Sequence, residues 1–152
     1  MSEWRATARA NTTPERLLEV LTHPEQIRRW SPVDFDVEDL DGGRVLSPGA
    51  RARVSGKLAG VAMGFDVRVH AADIGRLELS AEGPIGFDVR YDLAHGDDGA
   101  ELRASVSMRE ARGLTGRLVA KATAALLSAG ALDGATGRIA RAAEAQPCAG
   151  LA

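Results

Sequence analysis

The chain has 152 residues, a hydrophobic fraction of 45% and a formal net charge of -2, long enough for a core of its own and ordinary for a globular protein. Its 19 basic and 21 acidic side chains are interspersed, so nothing in the charge favours nucleic acid. No segment reaches the roughly 18 apolar residues needed to span a bilayer; Met1-Ser2-Glu3-Trp4-Arg5 lacks the pattern of a signal peptide; and the one cysteine, Cys148, leaves no internal disulfide, so a cytoplasmic location is expected.

In chain order, a strand is expected over Glu3–Ala10, with Trp4, Ala6 and Ala8 on one face. Thr12 or Thr13 suits an N-cap and Pro14 the first helical position, so a helix follows over Glu15–Leu21. It stops before Pro24, and a second short helix runs from Pro24 to Trp30, ending at Ser31-Pro32. Six strands come next, near Asp34–Asp41, Ala50–Lys57, Val61–Ala72, Arg76–Glu82, Phe87–Ala94 and Glu101–Glu110. Turn residues join them at Asp41-Gly42-Gly43, Ala59-Gly60, Asp73-Ile74-Gly75, Gly83-Pro84 and Gly96-Asp97-Asp98-Gly99. Links this short make neighbouring strands antiparallel. The last element is a long helix from about Thr115 to Ala145, where Leu118, Val119, Ala122, Leu126, Ala129 and Leu132 recur at helical spacing. Gly130, Gly134 and Gly137 each cost a helix roughly 1 kcal/mol relative to alanine, which predicts a kink or break between Gly130 and Gly137 and a helix able to gate a site. Gln146–Ala152 has no pattern and reads as a disordered tail, leaving residues 1–145 as one domain.

Between Gly60 and Arg109 apolar and polar residues alternate, the period of strands with one wet and one buried face. The alternation turns Phe65, Val67 and Val69 inward and Arg68, His70, Arg90 and Arg103 outward. The inward face is nearly bare of functional groups, which favours binding over reaction. It also holds small residues, Ala6, Ala8, Ala52, Gly56, Ala81 and Ala104, opposite a helix with Ala120, Ala122, Ala124, Ala125 and Ala129. Small residues on facing surfaces either bring the layers together or leave a cavity.

Three stretches carry a family resemblance. Thr12-Thr13-Pro14-Glu15-Arg16-Leu17-Leu18-Glu19-Val20-Leu21-Thr22-His23-Pro24-Glu25 through Trp30 resembles the opening of the START/Bet v 1-like (SRPBCC) superfamily, in its bacterial polyketide cyclase/dehydrase and carbon monoxide dehydrogenase-associated branches. Asp73–Gly83 and Arg112–Leu118, running into the long helix, match as well. The resemblance implies an α+β helix-grip fold: a seven-stranded curved antiparallel sheet wrapped around a long C-terminal helix, with two short helices after strand 1. It implies a cavity for a lipid- or polyketide-like hydrophobic molecule. The alternative it offers is a polyketide cyclase, aromatase or dehydratase acting on a poly-ketone or related intermediate, without metal or nucleotide cofactor.

The expected cavity is lined by Val54, Met63, Phe65, Val67, Leu79, Phe87, Val89, Tyr91, Val106 and Met108 from the strands and by Leu118, Ala122 and Leu126 from the helix, with Trp30 and Phe35 at its mouth. Simple packing of the second helix accounts for Trp30 equally well. For catalysis there are two candidates. Aromatase/cyclases of the resembling family carry a cavity arginine whose counterpart here is Val69 or His70, and a one-residue slip would turn His70 inward. Tyr91 shares the inward face, and its hydroxyl either meets a ligand or belongs to an ordinary core tyrosine. Of the acidic run Asp34, Asp36, Glu38, Asp39 and Asp41, the first three alternate with Phe35 and Val37 and form a wet strand face, and the run has no calcium-loop spacing. Three histidines and one tail cysteine make no zinc site, and phosphate-loop, nucleophile-elbow and dinucleotide motifs are absent; no cofactor is expected. Arg112, Arg117, Lys121, Arg138 and Arg141 surround the last helix, and there membrane contact is the lesser reading beside a solvated face.

Overall fold

A computed structural model gives the structure of the protein; it describes residues 2–30, 35–41, 46–58, 61–111 and 113–145. The strands are β1 (Ser2–Ala10), β2 (Phe35–Asp41), β3 (Arg51–Leu58), β4 (Val61–Asp73), β5 (Arg76–Glu82), β6 (Ile85–Gly96) and β7 (Gly99–Ala111). The helices are α1 (Pro14–Thr22), α2 (Pro24–Trp30), α3 (Gly113–Ser128) and α4 (Ala131–Ala145). Strands β2 to β7 pair with their chain neighbours, and β1 closes onto β7, giving a seven-stranded antiparallel sheet in the order β1-β7-β6-β5-β4-β3-β2. The expected Ser31-Pro32, Gly42-Gly43 and Ala59-Gly60 connections and the tail 146–152 lie outside the described residues.

Local chemistry sets α1. Thr13 Oγ1 accepts from the Arg16 amide at 3.3 Å, and Pro14 opens the helix, where a missing N–H costs nothing. The helix ends at His23, whose amide donates to the Glu19 carbonyl at 3.2 Å, just ahead of Pro24. Leu17, Val20 and Leu21 are wholly buried. They share the core with Leu132, Ala135, Ile139 and Ala143 of α4 and with Leu77, Tyr91, Leu93 and Leu102 of the sheet.

The sheet departs from strict alternation at three irregularities, between Val37 and Asp39, Val69 and Ala71, and Ile85 and Phe87. Bulges of this kind bend the strand that carries them. The one in β4 leaves His70 without an opposite residue in the ladder with β5 and changes the phase, so that Ala72, across from Leu77, packs against the core.

The long C-terminal helix is a bent pair. Helices α3 and α4 meet at 61°, and the break falls at Gly130, where φ is +99°. Side chains rarely adopt that backbone, so glycine belongs there. Gly134 and Gly137, which also interrupt the pattern, lie inside α4. Among the described residues no single helix is long and apolar enough to cross a membrane. The N-terminal end of α3 is pinned by a second glycine: a Cβ on Gly116 would sit 2.5 Å from the Pro84 carbonyl oxygen in the β5–β6 turn.

Two outcomes follow, both read from urea unfolding. Gly116→Ala forces α3 off the β5–β6 turn and lowers stability by about 1–3 kcal/mol, the usual cost of overpacking. Gly130→Ala loses about 1–2 kcal/mol to the left-handed backbone, whereas Gly137→Ala gains about 0.5–1 kcal/mol, because its Cβ would meet only the tip of Arg141, at 3.6 Å.

Candidate ligand-binding site

Antiparallel register arranges the inward side chains in rows across the sheet. One row runs Leu77–Tyr91–Ala104–Ala6, and the next runs Leu93–Leu102–Ala8. Apart from half-buried Ala8, every member is buried, beneath α1 and α4. On the other side of Tyr91 the rows are Val69–Leu79–Val89–Val106–Trp4 and Ala52–Val67–Ala81–Phe87–Met108. In these two, only Val69 and Ala52 are buried and the rest are half-buried. Val54, Met63 and Phe65 continue the half-buried surface, with the Phe65 and Phe87 rings 5.9 Å apart. The inward face therefore has a sealed half and an open half. The open half is an apolar surface on the side of α3, which contacts β3, β6 and β7.

Helix α3 forms the other wall. Its buried stripe is Gly116, Val119 and Thr123, flanked by half-buried Ala122, Leu126 and Leu127. Ser128 Oγ accepts a bond from the Trp4 indole N–H at 3.3 Å, which ties the far end of α3 to β1. Thr123 is 7% exposed, and its hydroxyl has no hydrogen-bond partner among the described residues. The sequence pattern passed over this residue because it follows apolar side chains, and a threonine at an apolar position breaks no period.

The expected lining residues separate by place. Val54, Met63, Phe65, Val67, Leu79, Phe87, Val89, Val106, Met108, Ala122 and Leu126 border the open half. Leu118 does not: the buried stripe of α3 runs through Val119 and Thr123, leaving Leu118 58% exposed beside Leu114, which is 84% exposed. The Phe35 side chain lies outside the described residues. Trp30 is 8% exposed in the sealed core. Its indole N–H donates to the Val20 carbonyl at 3.0 Å and its own carbonyl accepts from Arg138 Nε at 3.0 Å, so α2 is locked between α1 and α4.

Tyr91 stands at the boundary between the halves. Its ring meets Trp30 edge-on at a centroid distance of 6.2 Å, and among the described residues its hydroxyl has no hydrogen bond. Burial pushes the phenol well above its ordinary value, so it stays protonated and can donate a hydrogen bond but not act as a base. His70 is exposed on the outer face, its Nε2 2.9 Å from Ser80 Oγ. The ion pairs among the described residues of the central strands share that face. Arg53 pairs with Asp66 at 2.9 Å, Arg90 with Asp92 at 3.0 Å and Arg103 with Glu101 at 2.7 Å, while Arg109 bridges Glu82 and Asp88. Among the described inward residues at the border of the open half, Tyr91 is the one titratable group.

The chain matches no protein-family model, and no curated protein matches it in sequence. Solved structures do match its backbone. Ara h 8.0201, of the Bet v 1 family, is 14% identical with a TM-score of 0.58, over 91% of this chain and 98% of that one. The protein has the Bet v 1-like helix-grip fold. KanY shares this Bet v 1-like fold at 14% identity and a TM-score of 0.67, over 94% of this chain and 97% of its own. DynU16, a protein of the dynemicin biosynthetic locus, does so at 22% identity and a TM-score of 0.60, over 95% of this chain but 48% of its own. Against the Bet v 1-like architecture, the bent α3–α4 pair stands where the sheet grips its helix.

Tyr91 is the only tyrosine in the chain, so phenolate absorbance reports on it alone. A phenol ionises near pH 10 when unfolded, and the buried one resists. Unfolding therefore releases a proton above that pH, and stability falls there with a slope of about 1.4 kcal/mol per pH unit, while below it the contribution is intact. We expect phenolate absorbance to stay flat past pH 10 and to rise only with loss of far-ultraviolet circular dichroism, and Tyr91→Phe to shift alkaline unfolding to higher pH.

Proposed function

We propose that the protein binds a hydrophobic small molecule, lipid- or polyketide-like, in the groove between the open half of the sheet and α3. One observation carries this reading: Val67, Leu79, Ala81, Phe87, Val89, Val106 and Met108 point toward the interior of the fold yet remain half-buried. Apolar surface held open in this way gains about 25 cal/mol for each Å² a ligand covers, and concave apolar surfaces are where small ligands bind. The kinship of fold with Ara h 8.0201 and with DynU16, a protein of a biosynthetic locus, supports a small organic molecule as the occupant.

Binding is favoured over cyclase or dehydratase chemistry. Acid–base catalysis needs a positioned group able to take a proton as well as one able to give it. Tyr91 supplies a neutral donor only, and His70 lies on the opposite face of the sheet.

Native mass spectrometry of freshly purified protein tests the reading. We expect a co-purified apolar adduct that is lost in Ala81→Phe, a variant that adds a ring to the groove floor while keeping the far-ultraviolet spectrum. Bare protein that also fails to bind pyrene at micromolar concentration would remove the groove as a ligand site.

A further inference from the structure

The buried polar side chains among the described residues are three threonines, Thr22, Thr123 and Thr136. A threonine inside a helix ordinarily turns its hydroxyl back to a carbonyl three or four residues earlier. Thr22 does so, donating to Leu18 O at 2.8 Å, and Thr136 does so, donating to Asp133 O at 2.9 Å. Thr123 has the same opportunity in the middle of α3, yet its buried Oγ1 has no partner among the described residues. An unmade hydrogen bond of this kind is uncommon in a folded protein and costs stability.

The surroundings narrow what the missing partner is. Thr123 lies on the inward stripe of α3, two turns beyond Gly116, and the opposite side of the helix, with Leu114, Arg117, Leu118 and Lys121, is exposed. In the rows of the open half, Val69–Leu79–Val89–Val106–Trp4 and Ala52–Val67–Ala81–Phe87–Met108, the polar side-chain atoms are the Met108 thioether and the Trp4 indole N–H, which is already given to Ser128. A hydroxyl both donates and accepts, so it matches a carbonyl or hydroxyl oxygen equally. A carboxylate is disfavoured: among the described residues bordering the groove there is no lysine or arginine, and a buried anion without a counter-charge is costly.

We propose that Thr123 is the polar anchor of the groove, and that the protein selects neutral hydrophobic molecules carrying a ketone or hydroxyl oxygen over hydrocarbons and over carboxylates. This rests on the groove being a ligand site.

Fluorescence titration with pyrene, hydroxypyrene and pyrenecarboxylate tests it in the full chain. We expect hydroxypyrene to bind roughly tenfold more tightly than pyrene, the scale of one hydrogen bond, and pyrenecarboxylate to bind most weakly. The isosteric Thr123→Val should lose the preference for hydroxypyrene while binding pyrene as before, and Thr123→Ser should retain it. Thr123→Val should melt at the same or a higher temperature than the parent, since it removes an unpaired buried hydroxyl, so a loss of preference cannot be ascribed to misfolding. Equal binding of pyrene and hydroxypyrene by the parent, or an unchanged preference in Thr123→Val, overturns the anchor and leaves the groove standing. Failure of all three probes to bind overturns both.

Discussion

Helix α4 packs on β1, and both elements are rich in buried alanine: Ala135, Ala140 and Ala143 on the helix, Ala6 and Ala10 on the strand. Side chains this small let a helix lie close against a sheet, and close packing is what makes burial stabilising. The rest of the architecture takes its position from that contact. Helix α1 wedges Leu17, Val20 and Leu21 beside α4, and α2 is held there by the Trp30 indole on Val20 and by Arg138 on the Trp30 carbonyl. Glu144 accepts the Asn11 amide at 2.7 Å, fixing the end of α4 to the end of β1. With α4 set down so firmly, the 61° turn at Gly130 carries α3 off in a different direction, and the far half of the sheet is covered less completely.

The open half of the sheet face is thus a by-product of geometry as much as of composition. Small residues on facing surfaces have two outcomes, close approach or empty space, and the protein shows both. Against α4 the alanines bring the layers together. Toward α3 the sheet face stays half-buried, with Ala81 on its floor and Ala122 on its wall. Tyr91, between the two regimes, has its ring in the sealed core against Trp30 while the row beside it is already open.

Much of the fold was legible in the sequence because local chemistry agreed with global packing. The limits expected for α2, Pro24–Trp30, and for β5, Arg76–Glu82, match the structure; Pro24 sets the first, and turn residues bracket the second. The alternation from Gly60 to Arg109 separated the charged face from the apolar one. It could not show the bulge at His70, since an extra residue in one strand leaves no mark on composition. The C-terminal break was legible as a region and not as a residue. Three glycines had the same helix cost, but only Gly130 needs positive φ, while Gly134 and Gly137 stay helical on the side of α4 away from buried Ala135, Ile139 and Ala143. On α3 the apolar period suggested Leu118 as an inward residue. The buried stripe instead passes through Gly116, Val119 and Thr123, because close approach to Pro84 demanded a glycine at the contact, and neither a glycine nor a threonine counts in a hydrophobic pattern.

The division of one sheet face into a sealed and an open half has an evolutionary consequence. The side chains that keep the chain folded, such as Leu17, Leu21, Leu102 and Ile139, are not the ones that border the groove. On the proposed binding function, a mutation at Val67, Ala81, Phe87 or Met108 would alter what is accepted there while the α1–α4 core stays intact, so the repertoire of acceptable molecules could drift without passing through unfolded ancestors. Solved structures that share this backbone at 14 to 22% identity show how far sequence can wander while the fold persists, and a scaffold with its stability lodged at one end is well suited to such wandering.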